Sequence, residues 1–454
     1  MIQAALSQIA KELKATFTQD IDFKGISIDT RTLQPGNLFV AIRGEQFDGH
    51  QFVMDAFKKG AAAALVSQKI ASAIPQLIVD DTLLALGKIT ENWRDRFSLP
   101  VIAVTGSNGK TTLKNMIASI LRAASGNQAE QVLATEGNFN NNIGLPLNLA
   151  RLDKKHRYAV LEMGMNHFGE IKYLSLLAKP TIAVINNAAE AHLAGVKNVA
   201  GVAKAKGEIF LGLAEDGIAI LNRDDAHFNY WLGLIGNRRY LSFGFEHSAD
   251  VSTNDTENQP ITIKTPEGDI NLTLPLLGKH NVSNALAATA AAIAANVSLA
   301  AIKTGLENVL PAPGRMRQYV LPNNIKIIDD TYNANPFSLQ AAVNTLATFP
   351  NTKILVLGDM KELGPEEKQL HFLSGEKIRA AGIHYLFTLG NLSKAATQAF
   401  GKNAQHFTEH KELVAALLPF LKKDVTVLVK GSRSMQMEKI AAGIIPVEQL
   451  DPTH

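Results

Sequence analysis

The 454-residue sequence predicts an α/β chain of three domains: a small mixed α/β unit over 1–98, a doubly wound and mostly parallel sheet over 99–313, and a second open α/β sheet over 314–454. Three observations lead there. Short apolar runs alternate with helix-length segments through both larger blocks. The stretch Pro311-Ala-Pro-Gly314-Arg315 cannot continue a helix and separates those blocks. The apolar run Val101-Ile-Ala-Val-Thr105 passes straight into a Gly-Lys-Thr turn that must open a helix, so a buried strand starts the second block.

In the first block, strands are expected over 38–42 and 77–79 and an Ala-rich helix over 52–64. The second block continues from its opening strand with strands over 158–163, 181–185, 217–221 and 240–243. A β excursion over 261–274 follows, and then a helix over 285–295, whose alanines favour that conformation. In the third block, strands over 326–328, 354–357, 385–389 and 426–429 alternate with helices over 366–379 and 412–421.

Composition excludes several classes. The chain is 46% hydrophobic and 19% charged with a net charge of +3, and it has no basic block interleaved with aromatics, so no nucleic-acid partner is expected. Cysteine is absent, which removes disulfides, thiolate metal sites and cysteine nucleophiles and fits a reducing compartment. Residues 1–14 carry apolar positions at helical spacing with Lys11, Glu12 and Lys14 among them, unlike a signal peptide. No apolar run is long enough to span a bilayer, so a cytoplasmic protein without an integral membrane segment is expected.

The loop after the first central strand, Gly106, Ser107, Asn108, Gly109, Lys110, Thr111 and Thr112, reads as a P-loop-type phosphate cradle. Backbone N–H groups and the positive end of the following helix face an anion there. Lys110 can reach the outer phosphates and Thr111 can ligate Mg²⁺. The spacing is shortened, because position 104, where the first glycine usually stands, is Val. Glu162 ends the next strong strand and is the candidate metal acid, since strand C-termini line the ligand crevice of such sheets. His192 follows another strand end at the same edge, where it is either a ligand or a surface histidine. The segment 135–144 packs Asn138, Asn140, Asn141 and Asn142 around two glycines, either a binding loop of amides or a plain turn. Asn222-Arg-Asp-Asp225 imitates the guanine-reading element of a GTPase. No Asp-x-x-Gly precedes it between Thr112 and Leu221, which argues against that class. Asp330 lies just past a strand, where an acid could accept from a ribose hydroxyl.

Thr105-Gly-Ser-Asn-Gly-Lys-Thr-Thr112, Leu161-Glu-Met-Gly164, Asn222-x-Asp-Asp225 and Gly278-x-His-Asn281-x-x-Asn284 resemble, in order, the motifs of the Mur ligase family, the ATP-dependent amide-forming enzymes of peptidoglycan precursor synthesis. The resemblance covers nearly the whole chain. Within the family, 137–146, 330–336 and 357–364 are similar to members that add D-alanyl-D-alanine to UDP-N-acetylmuramoyl-tripeptide. The motif usual in paralogues that add a single diamino acid is not seen where Tyr332-Asn-Ala-Asn335 stands.

The resemblance implies a central ATPase domain, a C-terminal Rossmann-like domain that closes over ATP and admits the amine, and an N-terminal domain holding the UDP-sugar through Thr30, Arg31, Arg43, Gly44 and His50. It implies ATP and Mg²⁺ as cofactors, with one Mg²⁺ on Thr111, a second on Glu162 and His192, and a carbamate metal partner formed on Lys206, which from the residues alone reads as a solvated helix lysine. It further implies Arg315 at the phosphates, Asp330 at the ribose and Asn281 with Asn284 at the adenine. Asn138, Asn140 and Asn141 are placed at the reacting groups, and Asn333 and Asn335 at the dipeptide. The expected activity is acyl-phosphate-mediated ligation by a monomer. The alternatives are a Mur-type or folylpolyglutamate-synthase-like ligase with another amine, and a nucleotide switch that ligates nothing.

Overall fold

A computed structural model describes residues 1–44, 47–190, 193–255 and 259–449. Three main sheets occupy successive stretches of the chain without interleaving. In the first, the strands Ala63–Val66 and Leu38–Val40 lie at the centre, with Gln76–Ile78 and then the antiparallel Thr16–Phe17 on one side and Ile26–Ser27 on the other. One expectation fails here. The helix over 52–64 stops at Val53–Lys58, Gly60 turns with φ of 89°, and Ala63–Val66 becomes a fully buried strand. Alanine spacing alone does not separate a helix from a strand buried on both faces.

The second sheet has seven strands, all parallel. Their order is Val251–Ser252, Arg239–Gly244, Ile218–Asn222, Ile182–Ile185, Val101–Thr105, Tyr158–Glu162 and Val132–Ala134. The chain leaves Val101–Thr105 for the far edge, returns to fill the gap and then builds outward on the other side. Val101–Thr105 is therefore the switch point, and a crevice opens at the carboxyl ends of the strands beside it. Register brings Glu162 opposite Val104 and Ile185 opposite Thr105, so these strand ends are level. Two apolar cores flank the sheet. One is built on the helices Lys110–Ala124 and Lys279–Ala294, the other on the helices packed against the opposite face. The β excursion is a two-stranded antiparallel ribbon, Ile261–Ile263 with Ile270–Leu272.

The third sheet has six strands ordered Arg317–Leu321, Ile325–Asp330, Val425–Lys430, Thr352–Gly358, Tyr385–Leu389 and Ala404–Phe407. Only the first pair is antiparallel. It too has a core on each face. Among the described residues, no helix is long and apolar enough to cross a membrane.

Candidate functional site

The loop after Val101–Thr105 turns at Gly109, whose φ is 78°. A Cβ there would lie 2.6 Å from the Asn284 Oδ1 and 2.7 Å from the Asn186 Nδ2, so glycine is required. Leu113 is the first amide of the following helix to reach a carbonyl, that of Gly109. The amides of the first turn therefore face out of the positive helix end. Lys110 is folded back on its own loop, its Nζ donating to the Gly106 carbonyl at 2.7 Å and the Ser107 carbonyl at 3.3 Å. Burial lowers its pKa most, with Glu162 raising it and Arg315 lowering it.

The loop is clamped to the neighbouring strand end. Ser107 N donates to the Asn187 carbonyl at 3.0 Å, Asn108 N donates to the Asn187 Oδ1 at 2.9 Å, and the Ser107 hydroxyl bonds Ala189 in both directions. That strand end is itself held by the imitation guanine reader. Asn222 Nδ2 donates to the Asn186 carbonyl at 2.9 Å and Ala188 N donates to Asp225 at 2.7 Å. Asp224 instead accepts from the backbone of Phe245, Glu246 and His247. All three side chains are struts rather than base readers.

Glu162 is 1% exposed, and its carboxylate gathers the predicted residues around it. Thr111 Oγ1 donates to Oε2 at 2.9 Å, and Asn140 Nδ2 donates to Oε1 at 2.8 Å. Asn140 also donates to the Asn138 Oδ1 at 2.9 Å. Asn141 does not join them, because its Oδ1 is taken by the Ile143 and Gly144 amides, at 3.2 and 2.9 Å, where the helix Gly144–Ala150 begins. Arg315 arrives from the third sheet's side, stacks on the Tyr332 ring at 3.9 Å and donates to the Thr111 Oγ1 at 3.0 Å. His192 lies outside the described residues. Among the described residues, no three His, Asp or Glu side chains form a ready cage. Two oxygen ligands that leave room for phosphates and water are the donor set Mg²⁺ takes.

Lys206 overturns its reading as a solvated lysine. It is 1% exposed on the helix Val199–Gly207, and its pKa is driven well below the ordinary value, by burial first and then by Lys110. Asn281 and Asn284, expected at the adenine, are buried at the start of Lys279–Ala294. Asn284 accepts from Asn186 at 2.8 Å and donates to Asn281 at 3.1 Å. An adenine ring reaching them has to take over one of those amide groups.

On the third sheet, Asp330 is paired with Lys430 at 2.5 Å, and Lys430 also donates to the Asn333 carbonyl at 2.9 Å. Lys430 is buried, and the sequence reading missed it. Asn335 caps the helix Pro336–Ala347 and donates to the Asn108 Oδ1 at 3.0 Å. It therefore joins the third sheet to the phosphate loop. In the first block, Arg31 lies exposed on Asp29, Arg43 pairs with Asp48, and Gly44 N donates to the Phe47 carbonyl. The Thr30 carbonyl accepts from Lys59. His50 is buried with both ring nitrogens engaged, Nδ1 on Asp48 at 2.6 Å and Nε2 accepting from Ser67 N at 2.9 Å. It shapes the loop rather than presenting a free ring edge.

The family models described as Mur ligase family catalytic domain, Mur ligase middle domain, and Mur ligase glutamate ligase domain match residues 22–92, 104–292 and 314–433. The UDP-N-acetylmuramoyl-tripeptide–D-alanyl-D-alanine ligase of Escherichia coli K12 is 42% identical over 98% of this chain and 99% of its own. The enzyme of the same name from Bacillus subtilis is 36% identical over 98% and 99%. A crystal structure of MurF from Acinetobacter baumannii superposes with a TM-score of 0.91 at 34% identity, covering 97% of this chain and 98% of that one. MurF from Thermotoga maritima in complex with ADP gives 0.83 at 26% identity over 92% and 96%. With the motifs in family order and matches that run nearly end to end, this chain belongs to the Mur ligase family.

Proposed function

We propose that the protein is an ATP-dependent ligase that joins D-alanyl-D-alanine to the terminal carboxyl group of a UDP-N-acetylmuramoyl-tripeptide, releasing ADP and phosphate. The observation that carries this reading is the cluster at Glu162, where phosphate-loop Thr111, Asn140 and, through Thr111, Arg315 of the third domain converge. The full-length likeness to ligases of that name supports the choice of substrates.

A carboxylate resists attack by an amine because it is negatively charged and has no adequate leaving group. The route around this is transfer of the γ-phosphoryl group of ATP to a carboxylate oxygen, with ADP leaving. The amine then attacks the acyl carbon, phosphate departs, and the amine gives up a proton. Negative charge builds on oxygen at each step, so cations and fixed donors do most of the work. Lys110, freed from its two loop carbonyls, turns to the β- and γ-phosphates. Arg315 faces the transferred group once the third domain is closed. One Mg²⁺ would sit on Thr111 and a second on Glu162 and His192, with a Lys206 carbamate as a further oxygen donor, and the ions would supply charge neutralisation for phosphate and carboxylate. Asn138 and Asn140 orient the acceptor's end, and Asp330, held by Lys430, takes the ribose. Thr30, Arg31, Arg43 and Gly44 serve the UDP end, with His50 setting the loop. Asn333 and Asn335 border the dipeptide side, Asn335 also carrying the closure contact. One chain carries every part, so a monomer suffices.

Lys206 is assigned as the carbamate-forming lysine. Burial, and then Lys110, favour the uncharged amine at Lys206, the form that is nucleophilic. Its nitrogen bonds the carbon of CO₂, and loss of a proton leaves an anionic oxygen donor. Protein equilibrated with ¹³C-bicarbonate is expected to give a carbamate carbon resonance that Lys206→Arg abolishes. A spectrum identical in both proteins removes the assignment.

The activity itself is tested with ATP, Mg²⁺, UDP-N-acetylmuramoyl-tripeptide and D-alanyl-D-alanine together. One ADP is expected per lengthened peptide detected by mass spectrometry, and little ADP with glutamate or a single diamino acid in place of the dipeptide. Turnover that ignores the UDP-sugar peptide would instead mark a nucleotide switch.

A further inference from the structure

The free edge of the central sheet borders a cavity of about 300 Å³ that the reaction above does not use. It lies between the helix Lys110–Ala124 and the edge strand Val132–Ala134. Lys114, Arg122, Arg151 and Lys155 line it, against two carboxylates, Glu130 and Glu136. Glu136 is already taken by Arg151 at 2.5 Å. Two positive charges are therefore left over.

The polar atoms tell the same story. Lys114 is 6% exposed and donates one proton to the Thr135 carbonyl at 2.8 Å, with no carboxylate at ion-pair distance among the described residues; burial lowers its pKa most, with Glu162 opposing and Arg315 and Arg122 adding to it. Arg122 Nε is buried without a hydrogen-bond partner among them. His156, also in the lining, accepts from Asp153 N through Nδ1 at 2.9 Å, so its neutral ring offers Nε2–H. Burial and then Lys155 hold its pKa below the ordinary value, consistent with a site already rich in positive charge. Donors outnumber acceptors in a half-enclosed space, and a buried guanidinium N–H left unpaired is costly.

We propose that this cavity is a binding site for a small dianion, of the size of phosphate or a short dicarboxylate, held by Arg122, Lys155 and Lys114. The site is separate from the phosphate loop and does not depend on the identity of the ligation substrates. Its inner wall is nevertheless joined to the metal acid, since Thr135 accepts Lys114 on its carbonyl and Glu162 N on its hydroxyl at 2.9 Å.

The test is calorimetric titration of inorganic phosphate into the full chain saturated with Mg²⁺ and a non-hydrolysable ATP analogue, so that the phosphate loop is filled. Saturable binding of one phosphate is expected, weakened at least tenfold by Arg122→Met with Lys155→Met. In the wild-type protein, the Arg122 Nε–H resonance should shift along the same binding curve, which keeps the test valid if the double variant folds poorly. A parallel titration with succinate separates the two ligand sources: saturable binding with the same sensitivity to the variant extends the site to dicarboxylates, and phosphate alone restricts it to tetrahedral ions. Absence of saturable phosphate binding, an affinity unchanged in the double variant, or equally tight binding of acetate overturns the proposal.

Discussion

Glu162 is the residue on which the proposed chemistry turns, and its surroundings favour a carboxylate over an amide there. Both oxygens accept hydrogen bonds, one from Thr111 and one from Asn140, in a position closed to solvent. Glutamine at 162 keeps the size and can still accept from Thr111 through its carbonyl. It then sets an NH₂ against the Asn140 amide donor and cannot neutralise a divalent ion. Glu162→Gln is expected to leave the melting temperature within a few degrees of the wild type while kcat falls about 100-fold or more, the scale of losing an electrostatic contact made in the transition state. Raising Mg²⁺ should restore little of it. Initial rates across a Mg²⁺ series check this, and a kcat within threefold of the wild type would remove Glu162 from the metal site.

At the scale of elements, the helix Lys279–Ala294 carries in its first turn a histidine, His280, whose protonation the fold disfavours. Burial is the main cause holding the His280 pKa down to about 4; Asp330 opposes it and Lys430 adds to it. A charge there also opposes the positive helix end. In the unfolded chain a histidine titrates near about 6.5. The fold thus binds fewer protons than the unfolded chain between those values, so this contribution is complete above about 6.5 and is lost as pH falls toward 4, by about 1.4 kcal/mol for each pH unit. Thermal melts at pH 7.5 and 5 should show a larger drop for the wild type than for His280→Gln; equal drops would sink the idea. Elements whose chemistry is local could be read from the sequence. The strand-turn-helix of the phosphate loop and the acid at 162 each follow from a dozen neighbouring residues. Lys206 could not be read so, because Lys204 and Lys206 stand on one short helix and only tertiary packing buries one and exposes the other. Lys430 escaped notice because its partner Asp330 lies 100 residues away, and the alanine run at 61–64 gives no sign that Gly60 ends the helix before it.

The whole molecule is joined unequally at its two domain boundaries, and this asymmetry predicts which part moves. Arg94, 6% exposed on the helix Thr82–Arg94, donates to three carbonyls, those of Ala178, Phe97 and Lys179. Trp93 reaches the Leu152 carbonyl, Ile2 N the Ala150 carbonyl, and Lys179 pairs with Glu91 and Asp95. The first two domains are therefore bound through backbone acceptors and a buried cation. Among the described residues, the third meets the phosphate loop through two side-chain hydrogen bonds, Arg315 to Thr111 and Asn335 to Asn108, while Leu277 of the central domain packs against its core. Its connection runs through Gly314 and Met316, both at positive φ. Arg94→Ala strands buried carbonyls and should cost about 3 kcal/mol, seen as an earlier melting transition in which the N-terminal domain separates. Asn335→Ser keeps an oxygen to cap its helix but is too short to reach Asn108. It should barely change melting yet raise the radius of gyration in small-angle scattering of the nucleotide-free protein, because the boundary with fewer buried polar anchors is the one that opens. If Arg94→Ala opens the particle and Asn335→Ser does not, the mobile boundary lies on the other side of the central domain.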